Sequence, residues 1–443
     1  MKNNKKTVSD RLPILSLQED MINRCFRCGL CRSVCPSFLE TGLESASPRG
    51  RVQFARAVLD GRANLDDAVK ERMLDCLNCM RCTEECPSGV KTNEIVLAAR
   101  AELAARGNLN VFKKLAFNTV MKSPWLMGVF ARAASLGKKL FYDSNETVEK
   151  IVPRLAGMGD KKFPSPASRH SIGTWPEVVP PKSGVKKMRV GYFIGCATNM
   201  IFTEVADATI HVLTENDIEV VIPRGQACCG IPVYTSGDLA NARKLAGTNL
   251  KVFGGLDIDC IVTDCASCSA ALKHEVENLM GVGPFDVPVY DLNEFLVNVI
   301  DIKRHFREVP LRITYHDPCH LKRGQGIYDE PRKLLTMVPG VELIEMDEPD
   351  ACCGGAGTFA YTHHSLSRKV GRRKAENIRK TEAEAVATPC PSCTMQIEDL
   401  LNHDGVGIPV LHPVQILAKA YGYSDIRYKL PQEVETAAAC CPG

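Results

Sequence analysis

The chain has 443 residues, which is too long for one ordinary hydrophobic core and predicts about two to four domains. Its hydrophobic content of 45% and charged content of 24% are typical of a globular protein. Its net charge of +3, from 55 basic and 52 acidic residues, is too small to recruit nucleic acid. The 21 cysteines are unusual for a cytoplasmic chain and indicate metal binding or redox chemistry.

A run of cysteines occurs twice near the start of the chain. Residues 25–36 have the spacing C-x2-C-x2-C-x3-C-P, and residues 76–87 repeat it. In two-cluster ferredoxins this spacing binds 4Fe-4S clusters, and the fourth cysteine of each run ligates the other cluster. The spacing therefore predicts one cluster held by Cys25, Cys28, Cys31 and Cys86. It predicts a second cluster held by Cys76, Cys79, Cys82 and Cys35.

A zinc site and a disulfide scaffold are the two alternatives for these runs. Zinc sites use four ligands in two pairs, whereas each run has four cysteines at ferredoxin spacing. Disulfides need an oxidising compartment. The chain opens with Met-Lys-Asn-Asn-Lys-Lys and no apolar signal segment follows, so we expect reduced thiols in the cytoplasm. Since no window of 18 uninterrupted apolar residues occurs, we expect no membrane-spanning helix.

Helical patterns surround both runs. Residues 51–59 place Val52, Ala55 and Leu59 on one face of a helix, and residues 68–74 lead into the second run. Residues 94–105 have strong helix propensity and no β-branched run. Residues 1–105 are therefore predicted to form an all-α ferredoxin-type domain with two 4Fe-4S clusters.

The next two segments differ from this domain in composition. Residues 106–150 are predicted to be a basic amphipathic helical segment, because apolar residues interleave with lysine and arginine between 111 and 142. Such helices either pack on their own protein or dock on a partner subunit or, peripherally, on the cytoplasmic face of a membrane, and both readings stay open. Residues 151–187 contain six prolines and are predicted to be a linker.

The second half of the chain is an internal repeat, with a first copy at 188–303, a second at 304–430 and a tail at 431–443. The first copy contains Cys196, Cys228, Cys229, Cys265 and Cys268. The second copy contains Cys319, Cys352, Cys353, Cys390 and Cys393. Subtracting the residue numbers pair by pair gives offsets of 123, 124, 124, 125 and 125, so the five cysteines keep one register. A near-constant offset predicts a duplicated domain.

In both copies a predicted strand precedes each group of cysteines. The strands are predicted at 190–194, 218–222 and 258–263, and again at 311–315, 342–345 and 383–388. Alternation of strands with helices predicts a parallel α/β sheet, in which ligands gather beyond the carboxyl ends of the strands. The ten cysteines are therefore expected at such an edge.

Five thiolates per copy exceed what a cubane cluster or a zinc ion needs, and adjacent cysteines suit one tetrahedral metal poorly. We expect an additional or unusual iron-sulfur site in each copy. Gly230 and Gly354 are expected to let the backbone pass close behind the cysteine pair. Metal-free redox dithiols and zinc in one copy are the alternatives. Of the cysteines outside the register, Cys260 is predicted to be a buried strand residue, and Cys440 and Cys441 have no assigned role.

The second half resembles the cysteine-rich, CCG-type domains found in the B and D subunits of heterodisulfide reductase, and the whole chain resembles the iron-sulfur subunit of glycolate oxidase. The segments that carry this resemblance are PRGQACCG at 223–230, HDPCHL at 316–321, CCGGAGT at 352–358 and TPCPSC at 388–393. The order of two ferredoxin clusters and two CCG domains is shared by related lactate dehydrogenase subunits, by the C subunit of anaerobic glycerol-3-phosphate dehydrogenase and by the D subunit of heterodisulfide reductase.

The resemblance implies one or two further noncubane 4Fe-4S clusters, held by the cysteine sets of the first and the second copy. His316 and His320 flank Cys319 and are candidates to donate a hydrogen bond to a cluster or to carry a proton, although histidines beside a motif are more often structural. The chain has no Rossmann glycine fingerprint and no Walker loop, so no flavin or nucleotide is expected on it.

The resemblance also implies an electron-transfer subunit of a flavin-linked 2-hydroxyacid dehydrogenase complex that acts on glycolate or lactate. Its partners would be an FAD-containing dehydrogenase subunit and a downstream carrier such as a quinone or an electron-transfer flavoprotein. Some glycolate oxidase subunits have a degenerate first copy, whereas this chain has both cysteine sets complete. The complete sets keep open a second reading, a thiol-disulfide reductase similar to the D and B subunits of heterodisulfide reductase.

Overall fold

The structure is a computed structural model that describes residues 12–107, 167 and 169–424. The predicted basic segment from 108 onward, residues 151–166 and 168 of the predicted linker, and the tail with Cys440 and Cys441 lie outside the described residues.

The N-terminal module is all-α, as predicted. Pro36 and Pro48 begin two of its helices, and Ser47 and Asp66 cap two with their side chains, since the Ser47 hydroxyl accepts from Gly50 N and the Asp66 carboxylate from Val69 N. Short 3-10 turns span Leu15–Gln18, Leu30–Arg32 and Glu44–Ala46. The helices are α1 (Glu19–Asn23), α2 (Pro36–Thr41), α3 (Pro48–Leu59), α4 (Asp67–Leu74), α5 (Arg81–Glu84) and α6 (Thr92–Ala105).

The first CCG copy is built on a five-stranded sheet. Its helices are α7 (Ser171–Thr174), α8 (Cys196–Met200), α9 (Thr203–Glu215), α10 (Ile231–Thr235), α11 (Leu239–Gly254), α12 (Ala266–Ala270), α13 (Val276–Asn278) and α14 (Leu292–Glu294). Its strands are β1 (Val178–Val179), β2 (Met188–Tyr192), β3 (Ile218–Val221), β4 (Cys260–Thr263) and β5 (Val289–Asp291). π-Helical turns follow α12 at Ala271–Glu275 and α14 at Phe295–Val299.

The second CCG copy is built on a four-stranded sheet. Its strands are β6 (Leu311–Tyr315), β7 (Val341–Leu343), β8 (Ala385–Ala387) and β9 (Val410–Leu411). Its helices are α15 (Cys319–Gln325), α16 (Asp329–Thr336), α17 (Phe359–Thr362), α18 (His364–Lys380), α19 (Pro391–His403) and α20 (Pro413–Ala420).

The two sheets have the same topology. Their strands run in the orders β3-β2-β4-β5 and β7-β6-β8-β9, and every neighbouring pair in these orders is parallel. The fold class, a helical ferredoxin-type module followed by two duplicated parallel α/β domains, is confirmed. In both sheets the strand order reverses beside the strand that comes first in these orders along the chain, β2 in one sheet and β6 in the other. Open α/β sheets place a binding crevice at such a reversal.

Part of the predicted linker belongs to the first sheet. Strand β1 pairs antiparallel with β3, joining Val178 to Val221, and Ile172 of α7 is buried in the core. The interpretation of residues 169–187 as linker is therefore wrong, because the prolines there flank short elements that dock on the sheet.

The two CCG copies share one hydrophobic core. A single buried cluster contains Tyr192 of β2 and Tyr315 of β6, together with residues of α9 and α20. Cys260, predicted to be a buried strand residue, lies in β4 within this cluster. Within the described ranges, no helix combines the length and the apolar composition that a membrane span requires.

A buried arginine attaches the helical module to the first CCG copy. The guanidinium of Arg100, on α6, donates to the carbonyl oxygens of Met73 (2.7 Å), Cys76 (2.6 Å) and Thr235 (2.8 Å). The ion pairs Arg81–Asp350 (2.7 Å) and Arg323–Glu84 (2.7 Å) attach the same module to the second copy. The three parts therefore pack as neighbours around one junction.

Arg100→Ala is expected to destabilise the protein strongly, because it leaves several buried carbonyl groups without a donor. Each such group costs about 1–3 kcal/mol, so a loss of about 3 kcal/mol or more is expected, or roughly 6 °C or more in the thermal midpoint. Anaerobic thermal unfolding of the full chain measures it. The control is Arg62→Ala, which removes only the exposed pair with Asp60. Equal midpoints for the two variants would contradict the role of Arg100.

Candidate iron-sulfur centres

The eight cysteines of the ferredoxin runs line two neighbouring cavities in the helical module. One cavity is lined by Cys25, Cys28, Cys31, Cys82 and Cys86. The other is lined by Cys35, Cys76, Cys79 and Cys82. Each run therefore contributes its fourth cysteine to the cavity of the other run, and Cys82 borders both. The structure brings together the crossed sets that the spacing predicts, while ligation by these thiols stays a prediction.

The two runs have the same backbone conformation. Arg27 and Asn78, at equivalent positions, have φ angles of 59° and 55°, and Gly29 and Met80, also equivalent, have φ angles of 93° and 59°. Left-handed residues at these positions turn the chain sharply between the first three cysteines. Both runs therefore wrap three thiols around a cavity in the same way.

A buried cation next to Cys35 fits an anionic cluster. Arg51 is 1% exposed, its Nε donates to the Arg72 carbonyl oxygen (2.8 Å), and its Nη1 donates to Cys35 Sγ (3.8 Å). Its Nη2 has no hydrogen-bond partner among the described residues, although the side chain lines the second cavity. A buried cation needs a counter-charge, and a thiolate-ligated 4Fe-4S cluster has one. The donor set therefore fits such a cluster.

The two CCG cysteine sets face a single cavity of about 480 Å³. Nine of their ten cysteines line this cavity, and the tenth, Cys228, has its Sγ 3.9 Å from that of Cys196. Short loops after the parallel strands deliver these residues, as expected for the carboxyl ends of two sheets. The duplicated sets therefore form one composite site rather than two distant ones.

Equivalent loops of the two copies touch at the centre of this cavity. The loops that carry Cys265 and Cys390, which correspond in the repeat, are in direct contact. Beside them Ser267 Oγ lies 3.7 Å from Cys390 Sγ, and Ala266 N donates to the Pro389 carbonyl oxygen (2.9 Å). Contact between equivalent positions indicates that a pseudo-two-fold axis relates the two sets.

One thiol in each cysteine pair is acidic. Hydrogen bonds from the thiols of Cys228 and Cys268 lower the pKa of Cys229 to about 5. A hydrogen bond from Cys393 likewise lowers the pKa of Cys353, the equivalent residue of the second copy. Because the thiolate is the form that binds metal, both copies favour a metal-ready cysteine at this position.

The glycines after the two cysteine pairs are constrained differently. Both are left-handed, with φ angles of 94° at Gly230 and 83° at Gly354. A Cβ on Gly354 would lie 2.3 Å from the Ser367 carbonyl oxygen, whereas a Cβ on Gly230 would have no atom closer than 3.5 Å. The expected close passage of the backbone therefore occurs at Gly354, and Gly230 is needed only for its backbone angle.

The second cysteine set has a polar environment that the first set lacks. The ring of His316 offers a nitrogen that lies with the Sγ atoms of Cys353 and Cys393 in a group spanning at most 4.8 Å. Its Nδ1 donates to the Pro349 carbonyl oxygen (3.1 Å), which leaves Nε2 for the thiols, as in many metal-bound histidines. The register places Phe193 at the equivalent position of the first copy.

The second candidate histidine also faces the cavity. His320 lines it, burial lowers the pKa of its imidazole, and its Nδ1 has no hydrogen-bond partner among the described residues. A buried, unpaired ring nitrogen beside a cysteine set fits a site that holds a further polar group, such as a cluster.

The loops that carry the cysteine pairs are held by different side chains. In the second copy Lys374, fully buried on α18, donates from Nζ to the carbonyl oxygens of Glu348 (2.7 Å) and Pro349 (3.0 Å), and burial lowers its pKa to about 8. In the first copy the equivalent Asn249 accepts from Ala227 N (2.8 Å). The sequence analysis did not identify Arg51 or Lys374 as residues of the sites. A residue-by-residue alignment of the two copies places Lys374 opposite Asn249, and this difference could have indicated Lys374.

The second ferredoxin run contacts the second CCG set directly. A hydrogen bond between the thiols of Cys79 and Cys352, together with burial, raises the pKa of Cys79. Leu77 packs against Phe359 and Val370 of the second copy at the same place. The four cysteine sets therefore lie in series, from the first ferredoxin cavity through the second to the second and then the first CCG set.

Comparisons with known proteins agree with this architecture. The model of the 4Fe-4S dicluster domain matches residues 21–90, and the model of the cysteine-rich CCG domain matches residues 190–273 and 313–398. The protein is thus an iron-sulfur protein with two 4Fe-4S clusters in its N-terminal module.

Relatives extend the match over most of the chain. The probable glycolate oxidase iron-sulfur subunit of Bacillus subtilis is 29% identical, over 92% of this chain and 96% of that protein. The B subunit of the fumarate reductase (CoM/CoB) of Methanothermobacter marburgensis is 32% identical, over 90% of this chain and 72% of that protein. Lactate utilization protein A of Oceanobacillus iheyensis is 31% identical, over 52% of this chain and 96% of that protein.

The chain belongs to the CCG-domain family of iron-sulfur subunits, in which a dicluster module precedes two cysteine-rich domains.

Gly354→Ala is expected to destabilise the second copy more than Gly230→Ala destabilises the first. Both changes strain a left-handed residue by about 1–2 kcal/mol. Only Gly354→Ala also drives a Cβ into the Ser367 carbonyl oxygen. Thermal unfolding and iron content of the two variants, compared with the wild type, measure the difference. A milder effect at Gly354 would show that the loop relaxes there.

His316→Phe, which copies the residue of the first copy, is expected to lower the midpoint potential of a centre in the second CCG set. The imidazole lies beside the thiolates and stabilises the more negative, reduced state. Loss of an interaction of about 1.5 kcal/mol corresponds to about 60 mV for one electron. EPR-monitored redox titration measures the shift. His403→Phe, at the exposed end of α19, is the control, and an unchanged potential for His316→Phe would contradict the expectation.

Proposed function

We propose that this chain is the electron-transfer subunit of a flavin-linked 2-hydroxyacid dehydrogenase complex that oxidises glycolate or lactate. An FAD-containing subunit oxidises the acid, and this chain passes the electrons to a downstream carrier such as a quinone or an electron-transfer flavoprotein. The names of the relatives from Bacillus subtilis and Oceanobacillus iheyensis support glycolate and lactate as the substrates to test.

The observation that carries the proposal is the unbroken series of cysteine sets. Cys82 borders both ferredoxin cavities, and Leu77 of the second run packs in one cluster with Phe359 and Cys352. The two CCG sets meet where Ala266, next to Cys265, donates to the carbonyl oxygen of Pro389, next to Cys390. No catalytic acid or base is needed for a relay, because its residues only have to hold redox centres close together and dry. The series begins at the exposed Cys28 and ends in the central cavity.

Each cysteine set has a role in this proposal. Iron-sulfur clusters supply one-electron transfer when bound. The thiols of the two crossed ferredoxin sets would hold the two 4Fe-4S clusters, and the two sets of five would hold one or two noncubane clusters. Arg51 balances charge beside the second ferredoxin set, and Leu77 with Phe359 and Val370 excludes water from the junction with the second CCG set.

The electron balance requires the partner. Oxidation of a 2-hydroxyacid to a 2-oxoacid releases two electrons and two protons, which the flavin of the partner subunit accepts. Its reoxidation returns the protons to solvent and delivers the electrons one at a time to this chain. Two single-electron centres in the helical module match that division.

A thiol-disulfide reductase is the second candidate, because both sets of five cysteines are complete and line the same cavity of about 480 Å³. The relative from Methanothermobacter marburgensis, whose name refers to CoM and CoB, supports testing thiol substrates. In that case the cavity would bind a disulfide between the two sets.

Anaerobic purification from the native host separates the two candidates. We expect a flavoprotein subunit to co-purify and glycolate or lactate to bleach the iron-sulfur absorbance of the complex. A complex that ignores both acids but reduces a disulfide would favour the reductase instead. Iron content of about eight per chain would indicate cubane clusters alone, whereas about twelve to sixteen requires occupied CCG sets.

Cys353→Ser is expected to abolish the signal of the second CCG set and to leave the two ferredoxin-type EPR signals intact, because Cys353 lines only the central cavity among those described. Cys260→Ser, which changes a buried cysteine outside both sets, is the control for general loss of folding. Loss of the ferredoxin signals in Cys353→Ser would contradict the division into separate centres.

A further inference from the structure

An exposed apolar surface surrounds the first ferredoxin run. Phe26 is 84% exposed and Leu30 is 57% exposed, on either side of the exposed Cys28. Of the eight large apolar side chains that are exposed among the described residues, five lie between positions 17 and 43. Exposed apolar side chains that concentrate in one part of a protein are typical of interaction sites.

The second ferredoxin run shows the contact that the equivalent position makes when it is covered. Residues 51 positions apart correspond in the two runs, so Phe26 is the counterpart of Leu77. Leu77 is only 5% exposed, because it packs against Phe359 and Val370 of the second CCG copy, beside the contact of Cys79 with Cys352. In the second run, the side chain at this position therefore packs against a neighbouring cysteine set, whereas in the first run it is exposed.

The contact of the second run has a charged rim. The pairs Arg81–Asp350 and Glu84–Arg323 join the same run to the second CCG copy. Within the first run itself the charge is of one sign, since residues 24–35 include Arg24, Arg27 and Arg32 and no acidic residue. Arg32 is paired with Glu44 (3.2 Å), which leaves Arg24 and Arg27 as the arginines of the rim. Arg24 and Arg27 are exposed. A complementary partner would be apolar at its centre and acidic at its rim.

We infer that Phe26 and Leu30, with the arginines beside them, form the docking surface for the flavin-carrying dehydrogenase subunit. The inference rests on the proposed function and adds the place at which electrons enter this chain. We name this group, Phe26, Leu30, Arg24 and Arg27, the entry surface. It positions the partner over Cys28, just as Leu77 positions the second CCG copy over Cys79.

The shape of the two ends of the series supports the dehydrogenase subunit as the occupant. A flavin is held inside a large protein, so it reaches this chain only through a protein contact, and the entry surface presents exposed side chains for one. The other end of the series is the central cavity, where Cys265, Cys390 and Cys393 are buried, whereas Cys28 at the entry surface is exposed. A protein donor is too large to enter the cavity and therefore reaches the series at the entry surface.

Binding of the purified holo-chain to the purified dehydrogenase subunit tests the inference. Phe26→Ser is expected to raise the dissociation constant about tenfold or more, as truncation of a central aromatic residue does. Val185→Ser, which removes an apolar side chain that is 60% exposed in the first CCG copy, is the matched control and should bind like the wild type. Unchanged iron content and EPR signals show that Phe26→Ser keeps its clusters, and wild-type affinity in such a variant would overturn the inference.

A second variant tests the charged rim. Arg27→Asn copies the counterpart Asn78, which adopts the same left-handed backbone, so folding should be kept. It is expected to slow association several-fold at low salt and to reduce the salt dependence of binding. Identical rates and salt dependence for this variant and the wild type would exclude the arginine rim from the contact.

Cross-linking identifies the occupant directly. A photo-reactive amino acid at position 26 of the full chain, in the complex, is expected to link to the dehydrogenase subunit. Links to a second copy or to another part of this chain would overturn the inference. Failure of the proposed function gives a different result. If the proposed function is wrong, the flavoprotein with its hydroxyacid neither binds nor reduces the wild-type chain. If only the surface is wrong, Phe26→Ser is still bound and reduced like the wild type.

Discussion

The buried guanidinium of Arg100 is the contact on which the arrangement of the redox sites depends. It joins the end of α4 and the second ferredoxin run to α10 of the first CCG copy through backbone carbonyls alone. Because carbonyl acceptors are fixed by the backbone, this junction sets position more strictly than exposed ion pairs do. Arg100 and Cys352 line the same central cavity. Together with the ion pairs Arg81–Asp350 and Arg323–Glu84, this buried donor sets the placement of the helical module relative to the cavity.

Duplication supplied two sites with the same scaffold, and substitution then made them differ. Both copies present five cysteines from the same strand order, and the equivalent loops that carry Cys265 and Cys390 are in contact. The second copy has His316 and Lys374 where the first has Phe193 and Asn249. Cationic and polar side chains stabilise a reduced, more negative centre, so the two copies create different electrostatic environments within one cavity. In the proposed electron relay, such a difference would favour one direction of transfer, which two identical sites would not.

The two ferredoxin runs follow the same principle. Their backbones share left-handed residues at equivalent positions, and one run is covered by the second CCG copy while the other faces solvent. An apolar position between two cysteines is thus an internal contact in one run and an exposed one in the other. A chain built this way connects its inner sites by its own fold and keeps a matching surface for another protein.

The sequence by itself determined the crossed ferredoxin sets, the duplicated cysteine register, the parallel sheets and the helical module, because spacing and periodicity are properties of neighbouring residues. Strands β1, β5 and β9 were missed, since each has only two or three residues and, unlike the equally short β7 and β8, leads into no group of cysteines that marks the repeat. Only the tertiary structure decided that both CCG sets share one cavity, that Cys79 meets Cys352, and that Arg51 lies buried beside Cys35. These contacts depend on how separate elements pack, and the free energy of that packing is spread over the whole shared core.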